Sequence, residues 1–344
     1  MTFPFRIDLR DASTFPTRRV EEWKYSDLRR FLRETPPPSP TAVIAWGGPF
    51  AGFGHDELAF VNGRPTGGTD VVAEGERTLR LRFVSVAEGT GHQASCRIEV
   101  RPGATLRLFE SYEGQGSGYV ANAALDIVLG EGARLERIVL TDEAEDAISL
   151  ARTEVALGAG ASLVQTTVTA GARMLRQETH VAHPGEGASV RIDGLYVLGQ
   201  ARHADLTSTV DHRGPNGETG QLTKGVVRDT ARGVFQGQIL VQRGADGTDA
   251  RMGHHALILS ERAEVDAKPE LEIYADDVAC AHGNTVGSLD ENALFYARSR
   301  GIPEDLVRAM LTEAFLGEVI DRVGHEAARE RLRGWLNAKL GGGE

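Results

Sequence analysis

IEVRPGATL (98–106), IVLGEGARL (127–135) and VALGAGASL (155–163) share one pattern: two β-branched or Leu positions at alternate sites, a turn, then Gly-Ala, a polar residue and Leu. A fourth copy, VAHPGEGASV (181–190), carries one inserted residue. Their Gly-Ala pairs begin at Gly103, Gly132, Gly160 and Gly187, at intervals of 29, 28 and 27 residues. Repeats of that length are the signature of a solenoid, in which no turn of the chain can bury its apolar face alone. Alternation of Ile98 with Val100, Ile127 with Leu129 and Val155 with Leu157 predicts strands with those residues inward. LILSERAEV (257–265) keeps the register with Arg262 in place of Gly, and GLYVLG, LTKGVV and GVFQGQILV continue it less regularly between 190 and 257. The Leu-x-x-Leu-x-Leu ladder of leucine-rich repeats is missing. A sandwich of regular hairpins is the alternative, and the sparseness of hairpin dipeptides weighs against it. The expected fold is mainly β, a right-handed parallel β-helix (solenoid) with N-terminal and C-terminal α-helical segments.

The two ends depart from the repeat. TRRVEEWKYSDLRRFLR (17–33) reads as an amphipathic helix, halted by Pro36, Pro37 and Pro38. After Gly287 helical periodicity runs through DENALFYARSRG, PEDLVRAMLTEAFLGEVIDRV and HEAARERLRGWLNAKL, with Pro303 at a first-turn position. The second of these helices carries apolar residues around most of its circumference, Leu306, Met310 and Ile320 among them. It needs cover from its own body or from another protein, and capping the open end of the solenoid is an alternative role. The expected division is 1–80, N-terminal helical and mixed; 81–287, β-helix; 288–344, C-terminal helical.

A formal net charge of −11, from 38 basic and 49 acidic residues among 344, argues against nucleic acid as the main partner. Two cysteines, Cys96 and Cys280, imply no disulfide framework. The opening MTFPFRIDLRDAS lacks an apolar signal core and no apolar run reaches 18 residues, so a cytoplasmic protein without membrane attachment is expected. Phosphate-loop, zincin and nucleophile-elbow patterns are missing, so ATP hydrolysis by this chain is not expected. A polysaccharide-active β-helix enzyme is an alternative, but its one tempting acidic pair, Asp276-Asp277, would face opposite sides of a strand.

Chemistry concentrates in KPELEIYADDVACAHGNTVG (268–287). Cys280 and His282 lie two positions apart at the end of a strand-like run, which puts both on one face. Thiolate and imidazole both bind soft or borderline metals. Two ligands do not complete a four-ligand site, however. A small buried Cys beside a hydrogen-bonded His is the plainer alternative. His180, His183, His203, His212, His254 and His255 read mostly as surface or turn residues, and adjacent His254 and His255 cannot share a face.

The segments 268–302 and 211–241, together with EEWKYSDL (21–28), resemble the SufB/SufD family of iron–sulfur cluster assembly subunits, and within it the D type. The resemblance is dense over about 200–320: a strand ending Asp-Asp-Val-x-Cys-x-His-Gly, then Thr-Val-Gly and a Leu-Phe-Tyr-x-Arg-Ser-Arg-Gly helix. It implies a parallel β-helix flanked by helices and a non-catalytic scaffold function. It further implies pairing with a SufB-like paralogous subunit and binding of a SufC-like ABC-type ATPase through the C-terminal helices, within 302–319. Of the site residues, His282 matches the family's interface histidine, expected to contact iron or the cluster, and Cys280 its neighbouring cysteine. The cargo would be a transient iron or Fe–S cluster shared with the partner, with no tightly bound cofactor on the isolated chain. Ala263 stands where the sister subunit has its sulfur-accepting cysteine, which speaks against a SufB-like homodimeric scaffold. A homodimer of the isolated chain is compatible with the resemblance, whereas nucleic acid and membrane are not expected partners.

Overall fold

The computed structural model describes residues 7–183 and 185–341. Among them, strands alternate between two sheets as the chain winds, one sheet of ten strands and one of eight. Every neighbouring pair is parallel except the short antiparallel pair Asp56–Val61 with Arg64–Pro65 at the beginning. The stack is a parallel β-solenoid, and its strands begin at Asp56. Its register is the sequence repeat itself. Thr105 lies beside Arg134, Arg134 beside Ser162, and Ser162 beside Ser189, each the residue that follows a Gly-Ala pair.

The pair has a physical reason. Gly103, Gly132, Gly160 and Gly187 all have φ between 60° and 70°, the left-handed conformation that a side chain disfavours. The following Ala104, Ala133, Ala161 and Ala188 are at most 3 % exposed, filling corners too tight for a larger residue. Between corners, Ile98, Val100, Ile127, Leu129, Val155 and Leu157 form the apolar part of the interior with Leu106, Leu135 and Leu163 from the other sheet.

That interior is also polar in its middle. Arg137 makes paired hydrogen bonds to Glu110 at 2.7 and 2.8 Å, and others to Gln165 (2.7 Å) and Thr153 (2.9 Å), all of them buried. The histidine expectation fails for the same reason. His183, His212 and His254 point into the stack and are fully buried, and His203 is buried on the outer face of the eight-stranded sheet. The lumen supplies polar partners that a sequence does not display: His183 Nε2 meets the Ala188 carbonyl at 2.8 Å and His212 Nε2 meets Thr219 Oγ1 at 2.8 Å.

The N-terminal helix expected over 17–33 is replaced by a strap. Only a single 3-10 turn, Glu21–Trp23, and the short helix α1, Leu28–Phe31, form. Tertiary contacts override helical propensity here. Trp23 lies against the Arg176 guanidinium, 4.3 Å from ring centroid to Cζ. Ser26 Oγ donates to Asp205 at 2.5 Å, Gln236 Nε2 donates to the Glu22 carbonyl at 3.1 Å, and Lys268 pairs with Glu21 at 2.8 Å. A continuous helix could not present all four residues to one sheet face.

At the other end, α2 (Glu291–Ser299), α3 (Glu304–Asp321) and α4 (Glu326–Gly341) follow the strands. Leu316, Val319 and Ile320 of α3, with Leu332 and Leu336 of α4, pack on Ile138, Leu140, Val168 and Leu195, the outer face of the ten-stranded sheet. The helices therefore cover a side of the solenoid, and the alternative that α3 closes its end is not what forms. Leu306 and Met310, in the first half of α3, stay half exposed.

Burial of imidazoles makes stability depend on pH. Desolvation holds His92, His212 and His254 down at about 4; Arg64 adds to the effect at His92, while Asp211 opposes it at His212 and the hydrogen bond with Asn284 opposes it at His254. Above the ordinary histidine value near 6.5 these groups are neutral in both folded and unfolded chains. As pH falls through 6.5 toward 4 the unfolded chain takes up protons that the folded chain refuses, so stability is lost over that window. The expected loss is about 2 kcal/mol per histidine by pH 5. Urea unfolding at pH 7 and pH 5 measures it; equal midpoints would contradict the burial argument.

Candidate functional site

The last strand of each sheet, Glu264–Ile273 and Ala279–Gly287, is paired on one edge only. The final turn of the solenoid is thus open, with a row of free backbone donors and acceptors. Ala279–Gly287 lies parallel to Asp249–Ile258, which places Cys280 beside Ala250, His282 beside Met252, Asn284 beside His254 and Val286 beside Ala256. Ala250, Met252, His254 and Ala256 are all buried and inward. Cys280, His282, Asn284 and Val286 therefore form the inward row of a turn that nothing among the described residues covers.

The sequence expectation that Cys280 and His282 share a face holds in this register. Their surroundings differ. Cys280 is half-buried and packs on the cluster of Phe235, Ile239, Val241, Ala245, Ala250 and Met252. That burial pushes its thiol up from the ordinary value, Asp249 adds to the shift, and a backbone hydrogen bond from Ala250 opposes it. Cys280 therefore binds a cation as thiolate only when the cation itself displaces the proton. His282 is exposed on the same row. No group of three or more His, Cys, Asp or Glu side chains able to hold a metal occurs among the described residues. The donor set of a thiol and an imidazole suits iron, but it is half a shell.

Sequence reading missed the layer beneath. His254 Nδ1 meets Asn284 Oδ1 at 2.7 Å, and its Nε2 meets the Tyr196 hydroxyl at 3.0 Å. The ring also stacks on Phe235, centroids 4.7 Å apart and planes within 1°. A signal was available, since His254 and Asn284 are separated by 30 residues, close to the repeat length. His255 faces the other way and meets Thr285 Oγ1 at 2.7 Å, so the two adjacent histidines diverge as expected. Asp276 and Asp277 lie in the turn between the last two strands, both exposed. Ala263 is buried with Tyr196, Leu198, Val227 and Ala231.

Around the open turn, Ile273, Tyr274 and Val286 are 42 to 55 % exposed, and Phe295 and Tyr296 of α2 more so. Large apolar side chains are thus concentrated beside free strand edges, an exposed apolar patch of the kind found at interaction surfaces.

A family model described as "SUF system FeS cluster assembly, SufBD core domain" matches residues 83–315. The chain belongs to the SufBD family. Similar SufBD relatives include the SufBD family protein of Synechocystis, 31 % identical over 74 % of this chain and 59 % of the relative. SufD of Escherichia coli is 31 % identical over 72 % of this chain and 58 % of its own length. A Mycobacterium leprae SufBD family protein is 33 % identical over 63 % and 57 %. The chain thus spans a little under three-fifths of the length of these SufBD relatives. No helix among its described residues is long and apolar enough to cross a membrane.

Proposed function

We propose that this chain is a SufD-like, non-catalytic scaffold of iron–sulfur cluster assembly, acting in the cytoplasm and contributing His282 and Cys280 to a site that a SufB-like sister subunit completes. The observation that carries this reading is the open last turn, with an imidazole and a thiol on its inward row and no third ligand beside them among the described residues. Iron or the growing cluster is the cargo at that corner. Exposed His282 provides a ring nitrogen, and half-buried Cys280 provides a sulfur that ionises on binding. The paralogous subunit would pair with the free edges and cover Ile273, Tyr274 and Val286, excluding water from the corner.

The second docking surface on this reading is the C-terminal helical unit, 288–344. Leu306 and Met310 on α3 are exposed apolar side chains within 302–319 available to a SufC-like ATPase. Nucleotide hydrolysis would belong to that partner.

The test is co-expression with the paralogous subunit and the ATPase. His282→Ala is expected to leave the fold and the complex intact on size exclusion while cluster content falls about tenfold or more. Undiminished cluster content would overturn the assignment. Turnover of sugar polymers by the purified chain alone would favour the polysaccharide-enzyme alternative instead.

A further inference from the structure

The corner holds a residue whose orientation is set from below. Asn284 is exposed on the inward row, two positions from His282 on the same face, a separation of about 7 Å along the strand. Its Oδ1 is engaged by His254 Nδ1 at 2.7 Å. An amide oxygen only accepts, so His254 carries its proton on Nδ1, and Nε2 accepts from the Tyr196 hydroxyl at 3.0 Å. The imidazole is clamped between that hydroxyl and the parallel Phe235 ring, and is fully buried. The acceptor end of the carboxamide is thereby occupied, and its Nδ2 hydrogens have no partner among the described residues.

We propose that Asn284 is a third contact at this corner, donating its Nδ2–H to anionic sulfur on the cargo, with His254 as the positioning residue that sets the carboxamide. This rests on the reading of His282 given above. The acceptor is sulfur of a cluster sulfide or of a thiolate ligand to the iron, since either accepts an N–H hydrogen bond. An amide turned the other way would present oxygen, which suits hard cations and repels sulfide. A hydrogen bond to sulfur also offsets negative charge and favours the reduced cluster, so it raises the reduction potential.

The experiment uses the full complex, loaded with cluster, and reads its midpoint potential; the unloaded full-length chain is read by the side-chain amide signals of Asn284. His254→Asn places an N–H2 donor where Nδ1 stood, whereas His254→Gln places one near Nε2 and leaves Asn284 Oδ1 free. Asn284→Leu removes the donor altogether. The potential is expected to fall in Asn284→Leu and His254→Gln and to stay near the parent value in His254→Asn. In the unloaded chain the chemical shifts of the Asn284 side-chain amide protons are expected to stay near the parent values in His254→Asn and to move in His254→Gln, because the hydrogen bond to Oδ1 is kept in the first and lost in the second. An unchanged potential in Asn284→Leu, or equal shifts in the two His254 variants, would overturn the inference. A complex that loads no cluster is decided by the amide signals, which overturn it if His254→Gln leaves them unmoved. Loss of cluster in His282→Ala alongside a negative result here sinks this inference alone, whereas full loading of His282→Ala sinks the reading beneath it.

Discussion

Arg137→Met lowers the unfolding free energy by about 3–5 kcal/mol, the usual cost of removing one partner from a buried ion pair. Both members lie inside the solenoid, Arg137 1 % and Glu110 0 % exposed. The guanidinium meets both carboxylate oxygens and also holds Gln165 and Thr153, so it ties strands of both sheets together. Methionine fills most of the volume and none of these roles. The Glu110 carboxylate would then be buried without a countercharge. The informative comparison is the double variant Glu110→Leu with Arg137→Met. Because desolvation of two charges nearly cancels their attraction, the double variant should recover most of the loss, to within about 1 kcal/mol of the parent. Urea unfolding of the three variants reads this directly. A double variant no more stable than Arg137→Met would mean that the contacts to Gln165 and Thr153, not the ion pair, hold this layer.

Gly225→Ala comes next, at about 3 kcal/mol, through overpacking. A Cβ at Gly225 would stand 1.8 Å from Cζ of Tyr196, the residue beside it in register. The ring cannot swing away, because a Cβ at Gly233 would already be only 2.5 Å from its Cε2 and its hydroxyl is held by His254. Glycine is therefore required by close approach, not by backbone conformation. Combining Gly225→Ala with Tyr196→Leu should restore part of the stability, a non-additivity that marks direct contact. If the double variant is the plain sum of the single ones, the ring is not what the new methyl meets. Gly225→Ala should also disturb the amide signals of Asn284, since Tyr196 and His254 link the two positions.

The parallel stack was legible because its constraint is local and repeated. A left-handed glycine followed by a buried alanine must recur wherever the chain turns a tight corner, and alternation must recur between corners. The same arithmetic set Cys280 and His282 on one face. What a linear reading could not supply was content of the interior. His183, His212 and His254 resemble surface residues in sequence because their partners are a carbonyl, a threonine and a tyrosine up to 58 residues away. The strap was misread as a helix for a related reason: spacing of Val20, Trp23, Leu28 and Phe31 is compatible with a helical face, while the contacts that unwind it come from residues 176 to 268. The outer packing of α3 was likewise undecided by a helix that is apolar on most sides. Asn284 is legible only through its partner His254, 30 residues earlier.

The strap changes how the open end behaves. Arg176, Asp205, Gln236 and Lys268 lie on four successive strands of the eight-stranded sheet, Met174–His183, His203–His212, Arg232–Val241 and Glu264–Ile273. In a one-dimensional stack each layer leans only on its neighbours, so an uncapped terminus should peel off layer by layer. A brace running across four layers couples them, and the outermost can leave only when the brace lets go of the others. The chain can thus keep its most exposed layer bare without losing it to fraying.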